Sequence, residues 1–130
     1  MEYRRIVQKT YGEGVYQVSL QAFVTEGKGI CAFLSGGESP HNGGVVLAVP
    51  NKMDEKIYDG NLTADIWSST VPGHKDTEIA TKIAKKLAVE TQEVISLTCG
   101  IHIDHATKED IKILCDNCMH VVERWIEVYK

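Results

Sequence analysis

The segment Gly100-Ile101-His102-Ile103-Asp104-His105-Ala106-Thr107 brings a glycine, two imidazoles and a carboxylate together within a few residues. His102 and Asp104 alternate with Ile101 and Ile103, so on an extended chain both project from one face, where Asp104 can orient the imidazole. Two chemistries follow. One is a metal site drawing on His102, Asp104 and His105 together with His41 or His74; the other is a site for an anion or organic ligand, with histidine as hydrogen-bond donor. Spacing does not choose between them. His-X-Asp-His matches no familiar zinc signature, however, which favours the second.

Two further polar stretches have residue types suited to the same ligand. Residues 35–44, Ser-Gly-Gly-Glu-Ser-Pro-His-Asn-Gly-Gly, read as a long loop between two apolar strands. Glycines there let backbone N–H groups approach an anion or a flat ring. No Gly-Lys-Ser/Thr follows and no helix opens after them, so this is neither a Walker loop nor a dinucleotide fingerprint. Residues 68–75, Ser-Ser-Thr-Val-Pro-Gly-His-Lys, lead into a helix start, where unpaired N–H groups, three hydroxyls and Lys75 would suit a phosphate or carboxylate. Simple helix capping accounts for many of the same residues. Cys115-Asp116-Asn117-Cys118 lies mid-helix on an apolar stripe, without the helix N-terminus of a redox motif or the second pair of a zinc knuckle, and reads as core cysteine. No nucleophile elbow is present, so Ser35 and Ser69 have no support as catalytic nucleophiles.

The elements that must carry these loops follow from periodicity. Residues 3–11 read as a charged edge strand. Residues 15–25 alternate, with Tyr16, Val18, Leu20, Ala22 and Val24 on one face. Residues 30–34 are apolar on both faces, as in a central or doubly covered strand, and 45–49 form a strand stopped by Pro50. A polar loop over 51–61 precedes a strand at 62–68 with Trp67. The period then becomes helical over 75–90, with Ile79, Ile83, Ala84, Leu87 and Ala88 on one stripe. A strand at 94–99 and a helix opened by a capping box, Thr107 with Asp110, complete the chain. The last stripe runs Ile111, Leu114, Cys115, Cys118, Val122, Trp125, Ile126, Tyr129. Strands early and helices late argue an α+β fold, an antiparallel or mixed sheet of about six strands with two long helices on one face.

Composition bounds the function. A chain of 130 residues with 43% hydrophobic and 25% charged residues suits one domain, 1–130, with a core that needs no disulfide. A net charge of -4 with scattered Lys and Arg argues against nucleic acid. The N-terminus lacks a signal-peptide apolar region and no run approaches a membrane span, so a cytoplasmic location is expected, with Cys31, Cys99, Cys115 and Cys118 reduced and buried.

Ser35-Gly36-Gly37 with Pro40-His41-Asn42-Gly43, then Pro72-Gly73-His74-Lys75, then Gly100-Ile101-His102-Ile103-Asp104 with Ala106-Thr107, form in this order a pattern that resembles the prenylated-flavin chaperones, a family typified by the small accessory chain of gallate decarboxylase. That domain is similar to eukaryotic proteasome assembly chaperones. The chain departs from the pattern at Gly44, where Ala is expected, and at His105, where Asn is expected. The resemblance implies a carrier of prenylated FMN, or FMN, made by a UbiX-type prenyltransferase and loaded into a UbiD-type decarboxylase; such a protein is an accessory component and not an enzyme. Ser68, Ser69, Thr70, Gly73 and Lys75 would then hold the ribityl phosphate, with Ser35, Gly36, Gly37 and Gly43 beside the flavin ring. His41, His74, His102 and Asp104 would bind ring carbonyls and ribityl hydroxyls. Two other readings stand beside it: a metal-dependent hydrolase or lyase using the histidines, and a protein-assembly chaperone without cofactor, working through an exposed sheet face or edge. A homodimer is compatible with any of them, and the stripe ending in Trp125 and Tyr129 is one surface that could form it.

Overall fold

Alternating burial along the strands defines a sheet with one face against helices and, among the described residues, no element on the other. A computed structural model describes residues 4–25, 27–51, 63–73 and 77–130. The chain runs β1 (Arg4–Tyr11), a 3₁₀ turn (Gly14–Tyr16), β2 (Val18–Thr25), β3 (Gly29–Gly37), β4 (Gly44–Pro50), β5 (Ala64–Thr70), α1 (Thr77–Thr91), β6 (Ile95–His102) and α2 (Lys108–Tyr129). The fold is α+β, with a six-stranded mixed sheet ordered β1-β2-β3-β6-β4-β5. β1, β2 and β3 form an antiparallel meander, whereas β6 inserts parallel to β3 and antiparallel to β4. The segment between β3 and β4 is therefore a crossing over the end of β6 and not a hairpin connection.

That insertion explains where the strand bounds differ from expectation. Ser35, Gly36 and Gly37 have the composition of a turn, yet they lie in β3, paired in register with Gly100, Ile101 and His102 of β6. Ladder bonds to a neighbouring strand outweigh weak local propensity at such positions. The loop shrinks to residues 38–43. Ser69 and Thr70 are likewise strand residues, opposite Val45 and Gly44. The polar segment expected over 51–61 lies outside the described residues apart from Asn51, as do the expected start of β5 at residue 62 and the expected helix start at residue 75.

The core lies between the sheet and the helices. Val18, Leu20, Ala22 and Val24 of β2, Leu34 of β3 and Leu97 and Cys99 of β6 meet Ile83, Ala84 and Leu87 of α1 and Cys118, Val121, Val122 and Trp125 of α2. Trp125 is fully buried, its indole Nε1 donates to the Val7 carbonyl at 3.0 Å, and its ring stacks on Tyr129 at 5.4 Å. Trp125, at the end of the stripe read as a dimer surface, is thus used up inside the chain, and truncating a buried aromatic of this kind to Ala costs on the order of 3–5 kcal/mol. A second correction concerns Cys31, which is exposed on the bare face, whereas Cys99 and Cys118 are buried; no disulfide joins any of the four cysteines. Among the described residues no helix is long and apolar enough to cross a membrane.

Candidate functional site

The end of β6 is clamped by the 38–43 crossing. His102 O accepts from the N–H groups of Glu38 (2.7 Å) and Ser39 (3.3 Å), and the N–H groups of His41 and Gly43 donate to Gly100 O (3.4 Å) and Cys99 O (2.8 Å). Glu38 answers through its side chain, Oε1 accepting from the Asp104 N–H at 2.8 Å. A Cβ at Gly100 would overlap the His41 carbonyl, and one at Gly37, which sits at φ 77°, would overlap the His102 carbonyl. These glycines therefore serve close approach of the chain to itself. Gly36 is similar, with Gln17 O 2.6 Å from where its Cβ would be.

This clamp brings His41 and His102 together, ring centroids 6.1 Å apart and edge to face. His102 Nε2 lies 2.8 Å from Asp104 Oδ1, as the alternation of the segment suggests. A carboxylate only accepts, so this nitrogen carries the proton. His41 Nδ1 lies 2.8 Å from the Ser39 carbonyl and by the same logic is the protonated nitrogen. His105 follows at φ 55°, a left-handed conformation in which Asn is most at home and His is tolerated, which is the physical sense of the Asn expected there.

α2 then starts on its own cap. Thr107 Oγ1 accepts from the Asp110 N–H at 3.0 Å, and Asp110 Oδ2 accepts from the Thr107 N–H at 2.8 Å. Tyr16 O–H donates to Asp110 Oδ1 at 2.7 Å. The Thr107 amide first, and the Tyr16 hydroxyl after it, hold the Asp110 carboxyl below its usual range, and the hydrogen bond to that carboxylate holds the Tyr16 phenol above its own. This helix start is occupied by its own side chains.

Between the opening turns of the two helices lies a cleft of about 440 Å³. Its floor is apolar: Ile79 from α1, Ile101 and Ile103 from β6 and beyond it, and Ile111, Leu114, Cys115 and Cys118 from α2. The stripes of α1 and α2 converge on the core in their later turns, but in their first turns they face each other across this space, which leaves Ile111 52% exposed. The rim is polar, with His41, His102, His105, Glu78 and Gly73. Burial pushes the Cys115 thiol above its ordinary range, opposed by the nearby Lys82 charge, so it stays protonated near neutrality.

Of the residues singled out in the sequence, His41, Gly73, His102 and His105 line this cleft. Asp104 stands behind His102. Ser35 sits within the sheet between Ser19 and Gly100, and Gly43 is bound to Cys99. Ser68, Ser69 and Thr70 alternate along the edge strand β5, so they do not present three hydroxyls to one point; Thr70 Oγ1 lies 2.8 Å from Thr77 Oγ1 at the start of α1. None of these serine, threonine or glycine residues of β3 and β5 lines the cleft. His74 and Lys75 lie outside the described residues. Among the described residues no three of His, Cys, Asp and Glu are grouped so as to hold a metal ion. The apolar floor went unread in the sequence because its residues fit the core stripes of the two helices, and Ile111 and Cys115 differ from core only in that no described residue closes over them.

The fold has a counterpart of known structure in a chaperone complex for yeast 20S proteasome assembly, with a TM-score of 0.60 over 97% of this chain and 94% of that one, at 10% sequence identity. That likeness concerns the fold. No curated protein matches the sequence. A family model described as the prenylated flavin chaperone LpdD-like domain matches residues 12–130, a span that includes the β3–β4 crossing, the His102–Asp104 pair and both helices lining the cleft. The chain belongs to the prenylated flavin chaperone LpdD-like family.

Proposed function

We propose that the chain binds prenylated FMN, or FMN, in the cleft between α1 and α2 and passes it to a UbiD-type decarboxylase as an accessory component in the cytoplasm. The observation that carries this reading is the pairing of an apolar floor with an imidazole rim in a family of flavin chaperones. The volume of about 440 Å³ falls within the range of small-molecule sites, roughly 300–1,000 Å³. Ile79, Ile111 and Leu114 suit the apolar edge of a flavin and the ring that prenylation adds. His102, whose Nε2–H is given to Asp104, suits the N–H of its pyrimidine edge through the acceptor nitrogen that remains, and His105 suits a flanking carbonyl as donor, with His41 beside them on the rim. Asp104 holds His102 in place. When bound, the group supplies the electrophilic chemistry that the decarboxylase uses; the residues here orient it and shield it from water, and no nucleophile or base beside the cleft is assigned a catalytic step.

The source of the cofactor in this reading is a UbiX-type prenyltransferase. Co-expression with such an enzyme tests it: the purified protein should carry a flavin absorbance that His102→Ala reduces, and the loaded protein should activate an apo-decarboxylase faster than free cofactor does. A colourless protein from cells that make the cofactor in excess would count against it.

A further inference from the structure

β1 is an edge strand of eight residues, paired on one side with β2 in an unbroken register from Arg4 with Thr25 to Tyr11 with Val18. In an antiparallel ladder alternate residues turn both N–H and C=O away from the partner strand, so β1 presents a row of main-chain donors and acceptors outward. It carries no Asp, Glu or Pro, in a chain whose net charge is -4. Arg5, Val7, Lys9 and Tyr11 share the face turned toward α2, where Val7 is buried and Arg5 exposed. α2 adds charge along this edge. Arg124 sits over the Tyr11 ring, 4.9 Å from its centroid, and His120 stacks on the same ring at 4.7 Å. Arg5 lies 5.8 Å from the centroid of Tyr129 and donates from Nη2 to the Tyr129 carbonyl at 3.2 Å. Ring faces steer these guanidinium groups without neutralising them, and among the described residues none of Arg5, Lys9 and Arg124 forms an ion pair with a carboxylate.

We propose that β1 is a docking edge for a protein partner, which adds an extended acidic segment to the sheet beside it. Main-chain bonds along such an edge supply affinity, and side chains at alternate positions supply selectivity. Side chains of an added strand stand level with those of β1. On the helix side the segment therefore reads acidic beside Arg5, apolar beside Val7 and acidic beside Lys9, at every second residue. A further carboxylate level with Tyr11 meets Arg124 above that ring. The same charges disfavour a second copy as the occupant. Two β1 edges paired antiparallel about Val7 would set each Arg5 opposite the second copy's Lys9, and like charges directly opposite destabilise a strand pair. The other edge of the sheet offers no such attraction, since β5 carries Asp65 as its one charged residue. The docking edge also stands clear of the cleft. β1 meets the later turns of α2, through Val7 with Trp125 and Arg5 with Tyr129, whereas the cleft opens between the first turns of the two helices. A partner held along β1 leaves the cleft accessible.

The test is fluorescence anisotropy of the full chain with a labelled eight-residue peptide of alternating Glu and Val, the length of β1, at low ionic strength where exposed charges are least screened. Binding in the micromolar range is expected, weakened on the order of tenfold by Lys9→Glu and by Arg124→Glu. Amide hydrogen exchange should slow along β1 and not along β5. A peptide with Lys in place of Glu should not bind, nor should the Glu peptide N-methylated at every residue, which keeps its charge and loses its main-chain donors. No binding of the Glu peptide at high micromolar concentration overturns the proposal, as does equal binding of the methylated peptide or binding that both variants leave unchanged. A labelled single-stranded oligonucleotide that binds as tightly as the peptide assigns the edge to polyanions in general and also overturns it. Should the variants fail to fold, exchange in the wild type decides: protection of β1 on adding the Glu peptide supports the docking edge, and protection confined to other elements overturns it.

Discussion

Single side chains at the end of β6 divide into those that meet the ligand and those that hold others in place. His102 is of the first kind in the proposed site, so His102→Ala should weaken flavin binding roughly tenfold, about 1.4 kcal/mol, with little change in melting temperature. Asp104→Asn keeps a partner for the imidazole and should weaken it less; equilibrium titration of the three proteins gives the order. Asp110 is of the second kind. Its folded-state pKa is lowered, so its contribution to stability is present above the unfolded value and is lost as pH falls through that value toward the lower, folded one. Tyr16 is raised, so its contribution is complete below about pH 10 and is lost as pH rises through the folded value. Chemical denaturation against pH should therefore show Asp110→Asn flattening the acid limb below the ordinary carboxylate value, and Tyr16→Phe flattening the alkaline limb above the ordinary phenol value.

At the level of elements, the position of β6 decides the geometry of the site. Because it lies between β3 and β4, the 38–43 segment must cross its end, and Gly100 must lack a side chain for that crossing to seat. Gly100→Ala should destabilise the fold by about 1–3 kcal/mol, and in whatever fraction remains folded it should displace His41 and weaken binding. Thermal melts and ligand titrations read the two effects separately. The element types were legible in the residues: alternation over Val18 to Val24, the stripe from Ile79 to Ala88 and the Thr107–Asp110 box all appear where periodicity places them. The order of strands was not, since nothing local in residues 95–102 tells that they insert beside β3, and this one pairing turns Ser35, Gly36 and Gly37 from loop into sheet. His102 and Asp104 were legible as a pair for the same reason that β strands are, a period of two. The cleft floor was not, because a helix stripe looks the same whether its first turn is covered or open.

Among the described residues, apolar side chains stay uncovered on both sides of one sheet, in a small concave cleft between the helices and on the broad flat face opposite it. The concave one has the size and polarity of a small-molecule site. A carrier needs the cofactor held loosely enough to leave, which suits a cleft with an exposed rim, and the family to which the chain belongs is one of flavin chaperones. Cofactor binding in the cleft is tested most directly by an anaerobic titration of the purified protein with reduced prenylated FMN, followed by absorption and by co-elution on a sizing column, in parallel with Leu114→Trp, which fills the cleft floor. The wild type should take up one flavin per chain at micromolar concentration, and Leu114→Trp little or none with its far-ultraviolet spectrum retained. A wild type that leaves the flavin free, or a Leu114→Trp protein that binds it equally well, would contradict a cofactor site between the helices.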